Sequence, residues 1–205
     1  RLTGKLPLKL LAVPSDPLLA DPARGKAIRM GQFHFQGLSQ AIETADFAKL
    51  PLPPAFIDHI HRFDWLRDLA AAANRAEGAP LAAAIADKWL DAHGPKASLP
   101  AWRVDNTAWR FLNMAASAPY LLTSSDLVYR SKILNHFARM ARHLDQSAAR
   151  ATRPFDRVTG WAGTHMTTAR TMGRYLPWVR WGFVMLAISG TLLIIGEPVR
   201  ELINP

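Results

Sequence analysis

The sequence predicts a mainly α-helical (all-α) fold of antiparallel helical hairpins, preceded by a short N-terminal extended segment. Apolar residues recur three and four positions apart between helix start and stop signals, which is the spacing of one buried helix face. The connections between these stretches are short and rich in proline and glycine, so consecutive helices are expected to run side by side in opposite directions. The chain has 205 residues, 49% of them hydrophobic and none of them cysteine, so we expect a sizeable core without disulfides.

The first fifty residues are predicted to form an extended segment that contains one short helix. Asp21 supplies an N-cap carboxylate, Pro22 suits the first helical position, and Gly31 suits the position just past the helix end. Residues 32–37 then alternate polar and aromatic side chains, which is typical of a strand. Strand is therefore expected only within residues 32–42.

Residues 51–205 are predicted to form one helical-hairpin domain. A long helix is expected after the proline-rich connection at 50–54, with further helices starting at Pro80, at Asp105, at Ser124 or Ser125, and near residue 152. The Pro80 helix should end at Gly94, and the Asp105 helix at Ala118 before Pro119. Each carries an apolar stripe, and the predicted core positions are Phe56, Ile60, Phe63, Leu66, Leu81, Ile85, Trp89, Ile133, Phe137, Met140 and Leu144.

The charge balance favours a negatively charged partner. Lysine and arginine total 25 against 16 aspartate and glutamate, a formal charge of +9. Such a field attracts acidic glycans, nucleic acids or anionic membranes, although an ordinary solvated surface explains it equally well. No run of five like charges occurs, so no basic tail is predicted, and nucleic acid is not an expected partner. The absence of cysteine fits both the bacterial cytoplasm and the periplasm, and the compartment stays open.

No motif for cofactor chemistry or metal binding is present in the sequence. A phosphate-binding loop, a dinucleotide fingerprint, a nucleophile elbow and an HExxH pair are all missing. His59 and His61 are two positions apart on a predicted helix and point to different sides, while His136 and His143 are two turns apart. We therefore expect neither a cofactor nor a metal site.

The acidic residues of the first long helix are predicted to lie on a solvated face. Asp58, Asp64 and Asp68 are interspersed with basic side chains over residues 58–68, which favours surface ion pairs. A glycosidase would need two carboxylates that converge in space, and no local spacing predicts such a pair.

One cluster has the side chains of a subsite for an acidic sugar. Trp102 could stack on a sugar face, and Arg103 and Arg110 could bind a carboxylate or sulfate through two parallel hydrogen bonds. Asn106 lies four positions before Arg110 on the same predicted helix face and could donate its amide. The predicted substrate-binding residues are therefore Trp102, Arg103, Asn106 and Arg110.

The same cluster also fits a purely structural role. In that alternative, Trp102 and Trp109 are core anchors, Asp105 is a helix cap, and Arg110 points to solvent. Tryptophan near a helix start is more often a packing residue than a ligand contact.

Several segments, in a fixed order, resemble bacterial heparinase II/III-family proteins. Residues 61–69 are similar to the family's His-x-Phe-x-Trp-Leu-Arg-Asp-Leu helix, and the resemblance covers about residues 6–163. The segments are 6–14, 16–17, 25–28, 31–37, 61–69, Trp102-Arg103-x-Asp105 with Arg110, Pro119, 121–122, 129–130 and 143–144.

This resemblance implies an incomplete α/α toroid that is followed, in full-length members, by an antiparallel β-sandwich. Such lyases cleave uronic-acid polysaccharides by β-elimination, and an Asn, a Tyr and a His share the catalytic roles. None of those three can be assigned in this sequence. We therefore expect the N-terminal helical portion of a lyase, without catalysis of its own. Its expected partners are an acidic polysaccharide and either the rest of a larger chain or a protein that covers the open toroid end. The alternative is a non-catalytic helical structural or interaction subunit.

Residues 181–196 allow two interpretations. They carry no charge over sixteen positions, whereas a membrane-spanning helix usually needs about twenty apolar residues. Tryptophan and arginine precede the segment, as they do at membrane interfaces. A core helix of a toroid would look similar, so membrane association stays an alternative.

Overall fold

The computed structural model describes residues 13, 16, 18–148 and 150. All of them lie in the first of the two units into which the chain divides, Arg1–Thr164 and His165–Pro205. Among these residues the protein has seven helices and one two-stranded sheet. The prediction of a mainly α-helical fold is confirmed.

The elements follow one another along the chain with short connections. The helices are α1 (Pro22–Arg29), α2 (Pro54–His61), α3 (Trp65–Ala72), α4 (Arg75–His93), α5 (Val104–Ala116), α6 (Ala118–Leu121) and α7 (Leu127–Ala148). The strands β1 (Gln32–Phe35) and β2 (Leu38–Ala41) form an antiparallel hairpin in which Phe33 is opposite Gln40.

The N-terminal elements agree with those predicted from the sequence. The Asp21 carboxylate accepts hydrogen bonds from the backbone N–H groups of Ala23 and Arg24, so it caps α1. Gly31 follows α1 with φ at +81°, a conformation that glycine adopts without a steric penalty. Both described strands fall within residues 32–42.

The predicted first long helix is wrong, because the chain bends between α2 and α3. Phe63 adopts a left-handed conformation, with φ at +60°, and its side chain is completely buried. The backbone N–H of Phe63 donates to Ile60 O, and Phe63 O accepts from Leu66 N–H. The apolar spacing continues through this corner because the corner itself packs into the core, so periodicity alone did not reveal it.

The predicted start of α4 at Pro80 is also wrong. The helix begins at Arg75, because the Asn74 side chain accepts a hydrogen bond from Glu77 N–H and acts as the cap. Pro80 lies inside the helix, beyond its first turn. The predicted end is confirmed, since α4 stops at His93.

The ends of α5 and the start of α7 differ from the prediction by a few residues. Pro119 does not simply stop α5, because it lies in the first turn of the separate helix α6. At α7 the cap is Asp126, whose carboxylate accepts from Val128 and Tyr129 N–H, rather than Ser124 or Ser125. The predicted stripe of α7 is buried as expected, at Ile133, Phe137, Met140 and Leu144.

The helices pack around one core, and α1 lies directly against α3. A Cβ at Gly25 would be 2.0 Å from Asp68 O, so only glycine permits this approach. Helix α4 packs against α6, and α5 packs against α2 and α7. The predicted boundary near residue 50 stays a prediction, although α1 and α3 lie on either side of it.

Two predicted segments lie outside the described residues, namely the helix from about residue 152 and the apolar segment 181–196. Within residues 18–148, no helix is long and apolar enough to cross a membrane.

Candidate functional site

An ion-paired group joins α2 to the start of α5. We call it the ionic seam, and it consists of Asp58, Arg62, Arg103, Asp105 and Asn106. The Arg103 guanidinium donates to both oxygens of Asp105 at 2.8 Å and to Asp58 Oδ2 at 2.9 Å. Arg62 donates to Asp105 Oδ2 at 2.8 Å and to Asn106 Oδ1 at 2.9 Å. The Asn106 amide donates in turn to Asp58 Oδ1 at 2.8 Å.

The seam holds its central carboxylate in the charged form. Burial acts to raise the pKa of Asp105, but hydrogen bonds and charge from Arg103 and Arg62 outweigh it and lower that pKa to about 2. Hydrogen bonding to Asp105 likewise raises the pKa of Arg103. Two arginines and two aspartates neutralise one another, so the seam joins secondary-structure elements without presenting excess charge.

Asp68 departs from the predicted solvated face. Asp68 is only 2% exposed, and its Oδ1 accepts a hydrogen bond from Asp21 N–H at 2.7 Å. The Arg24 guanidinium lies 3.2 Å from Oδ2. Burial raises the pKa of Asp68, while the bond from Asp21 and the charge of Arg24 act to lower it. Asp68 therefore ties α1 to α3 in the interior.

A second polar group lies deeper and is built around Arg110. Its guanidinium is completely buried and donates from Nη1 to His61 O at 2.9 Å and to Ala101 O at 2.8 Å. It lies 4.5 Å from the ring centroid of Trp89 and 5.4 Å from that of Trp102. Among the described residues no carboxylate forms an ion pair with it. Burial lowers the pKa of Arg110 to about 9, which leaves it charged at neutral pH.

Histidines surround this arginine and complete what we call the aromatic centre, which consists of His61, Trp89, His93, Trp102, Arg110, His136 and His143. His61 Nδ1 accepts from Trp89 Nε1 at 3.1 Å, which fixes the tautomer of the ring. The rings of His61 and His93 meet edge to face at 4.9 Å. Trp102 Nε1 donates to His93 O at 2.8 Å.

Helix α7 contributes the other two histidines. His136 meets the rings of Trp89 and Trp102 edge to face, at 5.5 Å and 5.4 Å. Neither of its ring nitrogens has a hydrogen-bond partner among the described residues. His143 Nε2 lies 2.8 Å from Trp102 O, within hydrogen-bond distance. These contacts attach α7 to α4 and to the segment before α5.

The four predicted substrate-binding residues are divided between the two groups. Arg103 and Asn106 belong to the ionic seam, and Trp102 and Arg110 belong to the aromatic centre. Only Arg103 has a substantially exposed side chain, at 34%, while the other three residues are at most 2% exposed. Their role in substrate binding stays a prediction. Such binding would use side chains that already form hydrogen bonds, ion pairs or ring contacts within the protein.

The structural alternative is correct for Trp102 and wrong for Asp105 and Arg110, while Trp109, its second expected core anchor, is only partly buried. Trp102 is a buried anchor, as it expected. Arg110 does not point to solvent, because it is fully enclosed. Asp105 is not the N-cap residue, because α5 begins at Val104 and the Asp105 carboxylate pairs with two arginines.

Sequence reasoning considered His61, His136 and His143 only as metal ligands, did not consider His93, and did not place any of the four beside Arg110. Trp89 and His93 are four positions apart and lie on the same face of α4 as the predicted core residue Ile85. That spacing alone could have predicted that His93 lies beside Trp89 on the buried face of α4. No group of three or more metal-ligating side chains lies within the part of the chain that the structure describes.

Comparison with known proteins gives one similarity of note. The chain is 29% identical over 154 residues to FtsZ-localized protein C of Caulobacter vibrioides. The match covers 74% of this chain and 26% of that protein, so the chain spans about a quarter of the length of its relative. No family model and no solved structure matches the chain.

Proposed function

We propose that the chain is a non-catalytic helical interaction module that brings a larger protein to FtsZ. The observation that carries this proposal is the similarity to a protein named for its localisation with FtsZ. The match extends over 74% of the chain, so it involves most of the sequence rather than one short motif.

The arrangement of polar groups supports a scaffold role. Arg110 uses its guanidinium to hold the backbone carbonyls of His61 and Ala101, and Asp105 neutralises Arg62 and Arg103. Such bonds fix α2 and α5 relative to each other. A rigid helical surface is a common way to present contacts to a partner protein.

Co-sedimentation with purified FtsZ tests the proposal directly. The full chain should pellet with assembled FtsZ and remain in the supernatant with unassembled FtsZ. A fluorescent fusion should colocalise with FtsZ in Caulobacter vibrioides cells that lack their own FtsZ-localized protein C.

The control addresses the formal charge of +9, which could cause unspecific binding to any acidic filament. An unrelated basic helical protein of similar size and charge is therefore pelleted in parallel at low and moderate salt. If the chain pellets no better than this control, the proposed function is wrong.

A second candidate is the N-terminal helical portion of a heparinase II/III-like lyase, with the helices arranged as an incomplete α/α toroid. Residues 61–69, which resemble the family helix, cover the end of α2, the corner and α3. Most of their side chains belong to the core, namely His61, Phe63, Trp65, Leu66 and Leu69. Similarity at buried positions favours a shared fold, and the substrate would be an acidic, uronic-acid polysaccharide.

The test compares this chain with the full-length protein encoded by its gene. The ultraviolet absorbance of the unsaturated β-elimination product should rise with the full-length protein and not with the chain alone. The chain should still bind acidic polysaccharide weakly, and added salt should weaken that binding. If the full-length protein gives no such product from any uronate, this candidate is excluded.

A further inference from the structure

The aromatic centre places four histidines beside the buried guanidinium of Arg110, and this arrangement affects how the stability of the fold depends on pH. We propose that the aromatic centre makes the packing of α7 against α4 and the segment before α5 sensitive to acid, so that protonation of its histidines destabilises the fold. This inference does not rest on the proposed function.

The geometry explains why a second positive charge would not be tolerated. His136 is 3% exposed, and its ring lies against Trp89 and Trp102, the two rings that also flank Arg110. A protonated His136 would therefore share a buried site with the Arg110 guanidinium. Burying two like charges together is strongly unfavourable, and the protein would instead open.

Each element around the site contributes basic groups. Two arginines act on His136: Arg110 from α5 and Arg139 from α7, the helix of His136 itself. His61 belongs to α2 and His93 to α4. The pKa of His93 is lowered, mainly by burial, although its hydrogen bond with Phe47 O and the charge of Asp46 act to raise it. The seam's carboxylates are already paired with arginines.

These surroundings fix the sign of the pH effect. Burial, and then the charges of Arg110 and Arg139, lower the pKa of His136 well below 6.5. Burial, and then His93 and Arg110, lower the pKa of His61 to about 3. The unfolded chain therefore takes up protons below about pH 6.5 while the folded chain does not. Stability is complete above that pH and decreases as the pH falls.

Other groups do not obscure this window. Asp105 contributes only below about pH 4, because its unfolded pKa lies there. Asp68, whose folded pKa is raised, acts in the opposite direction and would slow the loss of stability. A steep loss between about pH 6.5 and 4.5 must therefore come from histidine.

The experiment follows urea unfolding of the full chain by far-ultraviolet circular dichroism at several pH values from about 7.5 to 4.5. The unfolding equilibrium constant should rise more than tenfold per pH unit below about 6.5, since each buried histidine contributes up to about tenfold. His136→Phe keeps the ring contacts with both tryptophans and should reduce this rise by up to about tenfold per unit. His34→Asn, which changes an exposed histidine of β1, should leave the rise unchanged.

A rise of less than tenfold per unit in the parent chain overturns the proposal, as does an unchanged rise in His136→Phe. If that variant does not fold, proton uptake on unfolding the parent chain at about pH 5.5 decides, measured with an indicator dye. Two or more protons per molecule support the proposal, and fewer overturn it.

Discussion

Arg103 and Arg110 lie seven positions apart on the same stretch of chain, yet their surroundings are opposite. Arg103 is one-third exposed and pairs with two carboxylates in the ionic seam. Arg110 is fully buried and meets two tryptophan rings and two carbonyls in the aromatic centre. An arginine beside a tryptophan in the sequence can therefore belong either to a partly buried ion-pair group or to the core.

The two regions also respond to acid in different ranges. Asp105 gives the ionic seam its pH dependence. Because the folded pKa of Asp105 lies at about 2, its contribution is present above about pH 4 and is lost as the pH falls towards 2. The aromatic centre weakens already below about 6.5, because its histidines have lowered pKa values. Acid titration can therefore separate the regions.

The largest effect is expected from Arg110→Ala. The change removes a buried side chain and leaves the carbonyls of His61 and Ala101 without their donor, so the free energy of unfolding should fall by about 3–5 kcal/mol. Urea unfolding at neutral pH measures it. Arg110→Met keeps most of the volume and should lose less. A loss below about 1 kcal/mol for Arg110→Ala would mean that the aromatic centre contributes little to stability.

Much of the fold could be predicted because helix signals are local. The cap at Asp21, the glycine at 31 and the stripe of α7 all follow from short-range spacing, and each is confirmed. The corner at Phe63 could not be predicted, since its left-handed backbone depends on burial against distant helices. Local spacing thus identifies helices better than it identifies the breaks between them.

A smaller but still clear effect is expected from Asp105→Asn. The change leaves Arg62 and Arg103 without their shared buried carboxylate, and unfolding free energy should fall by about 2 kcal/mol at neutral pH. The difference from the parent chain should shrink towards pH 2, where the parent carboxylate also becomes neutral. Asp145→Asn, at an exposed position of α7, is the matched control and should change little. A pH-independent difference would contradict the assigned role of Asp105.

The candidate site was less predictable than the fold. Residue types and helix spacing brought Trp102, Arg103, Asn106 and Arg110 together as one cluster, and all four do lie on α5 or just before it. Their division between two groups depends on Asp58 and Trp89, which come from other helices. Long-range partners of this kind are not encoded in the spacing of a single segment.

The smallest effect is expected from Arg103→Ala. Its guanidinium is 34% exposed, and Arg62 remains to neutralise Asp105, so unfolding free energy should fall by less than about 1 kcal/mol. Because water and ions reach the pair, about 1 M salt should reduce this effect further, whereas the effect of Arg110→Ala should persist. Urea unfolding of both variants at low and high salt measures the contrast. If Arg103→Ala destabilises the protein as much as Arg110→Ala does at both salt concentrations, the ionic seam is as essential to the core as the aromatic centre, and the distinction drawn between the two regions fails.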